Sequence, residues 1–181
     1  MDEVAERWLV LVVRVPAEPS RHRVGVWREL RRVGAVPLGQ GSWVVPDVPA
    51  VTETVARACE LAARGDGEIL VLLAHGRAEF DVARLRSLFS DQRQEEWVEF
   101  LADCAKFDAE IDKEIRINKL TFAELEEEEQ SLERLRRWFK AIKVRDVFGA
   151  PAATEAEQQL KHCAQRLEDY TQLVFAAQHH N

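Results

Sequence analysis

Lysine is missing from the first 105 residues of this chain; the first is Lys106. Cysteine is scarce too. Cys59, Cys104 and Cys163 are odd in number and contain no close pair, which excludes a disulfide framework and zinc-ligand spacing. Long apolar runs are missing: "WLVLVV" (Trp8–Val13) is far shorter than the roughly 20 residues that cross a bilayer. Near Met1 there is no basic segment followed by an apolar stretch and a small-residue cleavage site. These absences predict a soluble, reduced, cytoplasmic protein with no membrane partner. There is also no Gly-rich phosphate loop, no G-x-S-x-G and no H-E-x-x-H. His162–Cys163 could ligate a soft metal, but Cys163 falls on an apolar helical seam. "ELEEEEQ" (Glu124–Gln130) reads as solvated surface, because consecutive carboxylates on a helix point in different directions. No catalytic residue, metal site or cofactor is expected.

What is present is charge, unevenly spread. The net charge of −7 hides an asymmetry: residues 1–77 hold ten basic and ten acidic side chains, residues 78–181 fifteen and twenty-two. An anion site therefore belongs in the first half. One segment stands out there. "PSRHRVGVWRELRRVG" (Pro19–Gly34) packs five arginines and a histidine into sixteen residues.

The first half alternates strand and helix signals. "RWLVLVVRVP" suits a central strand covered on both faces. A helix follows, with Ser20 as N-cap and Gly34 as C′ stop. "AVPLGQGSWVVP" reads as a hairpin around Gly39–Gly41, its Pro37 strand at an edge. A second helix opens near Pro49, and "EILVLLAHG" is a fourth strand. The order β-α-β-β-α-β is the ferredoxin-like split βαβ, an antiparallel sheet with both helices on one face and the first and third strands central.

The second half is helical. Trp97, Phe100, Cys104, Phe107 and Ile111 are spaced 3-4-3-4, as are Leu160, Cys163, Leu167, Tyr170 and Val174; Leu132, Leu135, Phe139 and Ile142 are spaced 3-4-3. Such seams predict helices packed at shallow angles. Thr121 with Glu124 forms a capping box beside a Leu120/Leu125 staple, and Thr154 with Glu157 offers a second box. "FGAP" ends the middle helix at Gly149. The fold class is thus α+β: a ferredoxin-like domain over 1–77, then an antiparallel helical bundle over 78–181.

On the first helix, Val26, Leu30 and Val33 form the buried stripe. Arg21, Arg28 and Arg32 fall together opposite it, spanning about 16 Å along the axis; Arg31 lies at the stripe's margin, and Arg23 in the first turn can reach out. An amphipathic helix needs a solvated face, and arginine can serve there. The alternative is an anion-binding face, since the guanidinium fork suits phosphate and other tetrahedral oxyanions better than lysine does. Arg14, at the carboxyl end of the first strand, needs a carboxylate, an anion or solvent. Trp27 and Trp43 read as core.

Three stretches together resemble a known family: the segment from "WLVLVVRVP" through "SWVVP", "WVEFLADCAKFDAEI", and "KLTFAELEEEEQ" through "FGAP". They are similar to the N-terminal domain of the chromate resistance regulator ChrB. That resemblance implies a DNA-binding transcriptional regulator of a chromate resistance operon, responsive to chromate, and not an enzyme. The first half also resembles the middle domain of PaaX-type repressors and the small CRISPR adaptation subunit; both pair through this domain, which implies a homodimer. That subunit often carries an acidic, metal-binding residue where Arg14 stands here, so a nuclease reading loses its main ligand. The expected partners are duplex DNA of the operon's promoter and chromate or a similar oxyanion, with Arg14, Arg21, Arg23, Arg28, Arg31 and Arg32 as the DNA- or anion-binding residues. The competing readings are a dimeric oxyanion-sensing or protein-interaction module without DNA binding and, more weakly, a metal nuclease or thiol-based chromate reductase.

Overall fold

The computed structural model describes residues 6–179. The chain divides into two compact units, Met1–Gln92 and Arg93–Asn181. Among the described residues nine elements follow in order: β1 (Trp8–Arg14), α1 (Ser20–Val33), β2 (Val36–Gly39), β3 (Ser42–Pro46), α2 (Pro49–Arg64), β4 (Glu68–Ala74), α3 (Glu79–Arg116), α4 (Phe122–Arg145) and α5 (Ala153–His179). The sheet ends before residue 77, yet the first unit also includes the opening turns of α3, whose Phe89 packs edge-on against Trp8 at 6.0 Å.

The first unit is the expected α+β sheet. Its four antiparallel strands are ordered β2-β3-β1-β4, so β1 and β3 are central and the Pro37 strand lies at an edge. The β2–β3 turn holds Gly39, Gln40 and Gly41 at positive φ (109°, 46° and 82°), which explains the two glycines. Crossovers β1-α1-β2 and β3-α2-β4 bring α1 and α2 together. Their close approach needs Gly65: a Cβ there would stand 2.5 Å from the His22 Cβ.

Coverage of the central strand differs from expectation. Trp8 and Leu11 are fully buried, but Leu9, Val10, Val12 and Val13 are only half-buried. Ser20 is also not the N-cap: Pro19 takes that position in extended backbone, Ser20 is already helical, and no side chain caps the turn. Gly34 closes α1 as predicted, in left-handed conformation (φ 80°), its N–H donating to Arg31 O.

In the second unit the three seams meet in one core that contains all the predicted positions, Leu160 only partly buried. Trp97 meets Phe139 and Phe100 meets Trp138, while Lys143 pairs with Glu157 and Cys104 O accepts from Cys163 Sγ. Consecutive helices are therefore antiparallel, and the residues 93–116 of α3 run parallel to α5. Thr121 Oγ1 accepts from Glu124 N (3.3 Å), as the capping box requires. Two boundaries differ from expectation. Helix α4 stops at Arg145, with Asp146 as its cap, rather than at Gly149. Thr154 lies inside α5; the N–H of Ala152, just before that helix, is instead taken by Gln94 Oε1 from α3 (2.9 Å).

Candidate anion-binding face

Helix α1 buries Val26, Leu30 and Val33, leaves His22, Gly25 and Glu29 half-buried and turns its other residues outward. All five of its arginines are exposed. Arg32 pairs with Glu29 at 2.5 Å, and Arg21 Nε donates to His22 Nε2 at 3.2 Å. Arg31 lies over the Trp27 ring, 5.3 Å from its centroid. Arg23 and Arg28 have no ion-pair or hydrogen-bond partner among the described residues. There is no acidic residue in the first turn of α1, while Arg21 and Arg23 stand at its positive end. Two cations there oppose the helix dipole, so an added anion relieves them.

Arg14 is not part of this helix. It ends β1, exposed, and meets Glu68 of β4 at a loose 3.5 Å. The turn between α2 and β4 borders both places: His22 packs over Gly65 and the Arg14 carbonyl over Gly67. Arg14 and the start of α1 thus share one end of the sheet.

Trp27 corrects the sequence reading. It is 48% exposed, not core, and stands beside Arg23 and Arg31 at i, i+4 spacing. Its position a quarter-turn from the Val26–Leu30–Val33 stripe was the available signal. An exposed indole among guanidinium groups can stack on a base or keep an arginine in place. Trp43 is half-buried.

The acidic run holds a second correction. Glu128 is buried, because it continues the seam between Leu125 and Leu132. Burial, with Glu110, Glu114, Glu124 and Glu127 nearby, pushes its carboxyl up to about 6. A carboxyl raised on folding binds its proton more tightly in the native state, so its contribution to stability falls as pH rises from the usual carboxylate range through about 6. Glu128→Gln is therefore expected to stabilise the fold at pH 7.5 by on the order of 2 kcal/mol at most, raising the melting temperature there, and to change it little below pH 4.5. Thermal melts of both proteins across that range check it.

Among the described residues no three or more His, Cys, Asp or Glu side chains are grouped so that they could hold a metal ion. No helix among them is long and apolar enough to cross a membrane. Cys104 and Cys163 are buried in the helical core, and the contact with Cys163, then burial, pushes the Cys104 thiol upward.

A ferredoxin-like sheet unit whose first helix exposes five arginines, followed by three seamed helices, defines an α+β protein of two units. The family model described as "Protein ChrB, N-terminal" matches residues 23–181, and the chain belongs to that family. A curated relative, "Protein ChrB" of Cupriavidus metallidurans, is 27% identical over 152 residues. The match takes in 84% of this chain and 44% of that protein, so the chain spans less than half of its length.

Proposed function

We propose that this chain is the DNA-binding part of a chromate resistance regulator. In this reading the arginine face of α1 grips duplex phosphates, the protein acts as a homodimer in the cytoplasm, and chromate or a similar oxyanion is its effector. The chain binds and does no chemistry of its own. The observation that carries the reading is Arg23 and Arg28: exposed, and unpartnered among the described residues, on a helix whose first turn has no acid. About 16 Å of duplex presents roughly nine phosphates, so the length of the face suits DNA. Arg21 and Arg32 add positioning contacts, and Arg31 with Trp27 reaches toward bases. Chromate, a tetrahedral dianion, competes for the same guanidinium groups or binds by Arg14.

The test is fluorescence anisotropy with duplex from the gene's own upstream region against scrambled duplex, at several salt concentrations, with chromate and with sulfate. The expected outcome is sequence-preferring binding that strengthens as salt falls and is released by chromate but not sulfate. Absence of binding at low salt would replace this reading with an oxyanion-sensing or protein-interaction module.

A further inference from the structure

Strand β4 reads "EILVLLA", and six of its seven residues are apolar. Such a run belongs in the middle of a covered sheet. Here it forms an edge: among the described residues β4 pairs only with β1. Leu70, Val71, Leu72 and Leu73 are 55%, 38%, 44% and 61% exposed. By the register with β1, Leu70 and Leu72 lie on the face of Val12 and Val10, and Val71 and Leu73 on the face of Leu11 and Leu9. Both faces of the edge are therefore apolar and wet. Proteins normally protect such an edge with a lysine, a proline, a bulge or a very short strand. Residues 68–74 contain no lysine and no proline, and the register with β1 is unbroken over all seven.

We infer that β4 pairs edge to edge with β4 of a second copy of this chain, antiparallel and centred on Val71, joining two four-stranded sheets into one of eight. The occupant follows from the charges at the strand's ends. Asp66 and Glu68 mark its beginning, His75 and Arg77 its end, all exposed. Arg14 answers Glu68 only loosely and leaves Asp66 unmatched. Antiparallel self-pairing sets the acidic end of each copy against the basic end of the other; parallel pairing would set like against like. A two-fold interface must use one patch twice, and β4 is complementary to itself in hydrogen bonding, hydrophobicity and charge.

This inference rests on the dimeric part of the proposed function but makes no use of DNA, so its test is separate. Sedimentation velocity of the full chain at micromolar concentration, without nucleic acid, is expected to give a dimer. Val71→Lys combined with Leu73→Lys replaces two exposed side chains; it is expected to sediment as a monomer with an unchanged far-UV circular dichroism spectrum. Val71→Cys in a Cys59→Ser background is expected to form a disulfide-linked dimer on mild oxidation, since residues opposed across an antiparallel pair stand about 5 Å apart at Cα. Glu68→Cys in that background is expected not to, because its two copies would be roughly 20 Å apart. A monomeric wild type, a lysine variant that stays dimeric, or cross-linking at residue 68 rather than 71 would each overturn the pairing. None of these outcomes bears on the arginine face.

Discussion

Reversing Arg23 and Arg28 together to glutamate is expected to weaken duplex binding about a hundredfold at moderate salt and leave the fold intact. Each guanidinium that neutralises a phosphate releases condensed counterion, so losing two contacts should flatten the dependence of log K on log salt by about 2. Two new carboxylates then add repulsion. The fold is safe because both side chains are exposed without partners, and a glutamate at position 23 suits the positive end of α1. Arg32→Glu should cost less, since Arg32 is already held by Glu29 at 2.5 Å. Anisotropy titrations over a salt series read both affinity and slope. Equal losses for Arg28→Glu and Arg32→Glu would mean that only overall charge matters. No loss for the double variant would remove α1 as the DNA-binding face.

Asp146→Ala is expected to be the most damaging single change in the helical unit. The Asp146 carboxylate accepts from Trp97 Nε1 at 2.8 Å and from the Ala150 N–H at 2.9 Å, tying α3 to the loop after α4. Beside it, Glu96 bridges Arg93 and Arg145 at 3.1 and 2.9 Å. Trp97 and Ala150 are both buried, so truncation strands two donors away from water. The expected cost is about 3 kcal/mol, or roughly 10–20 °C in the melting temperature for a unit of this size. Asp146→Asn keeps one acceptor oxygen and should fall between. Differential scanning calorimetry distinguishes these; an alanine variant melting within a degree or two of the wild type would show that water replaces the carboxylate.

Local pattern reveals this fold where the cause is local. The period-2 and 3.6-period runs, Gly34, the Gly39–Gly41 turn and the Thr121 cap each encode their own geometry within a few residues, and Pro37 alone consigns its strand to an edge. Glu128 was hidden by its neighbours: the acidic run masks its place midway between Leu125 and Leu132. Asp146 gave no signal, because its meaning comes from Trp97, 49 residues away. The end of α4 escapes local pattern for the same reason: Asp146, held by Trp97 and the Ala150 N–H, caps the helix before Gly149 is reached. On α1 the arginines are evident in the sequence, but their pairing is not. That Glu29 takes Arg32 and leaves Arg28 unpaired depends on rotamers and exposure. The apolar sequence of β4 likewise says "covered" without saying by what.

The contact between Arg31 and Trp27 has a practical consequence. Of the five tryptophans, Trp8 and Trp97 are buried, Trp43 and Trp138 half-buried, and Trp27 alone is exposed. A quencher such as acrylamide, colliding from water, therefore reaches Trp27 before the others. Its indole emission comes from between Arg23 and Arg31 at the flank of the arginine face, so whatever binds against those two shields the ring. The protein contains its own optical probe of that surface, and no dye need be attached to it.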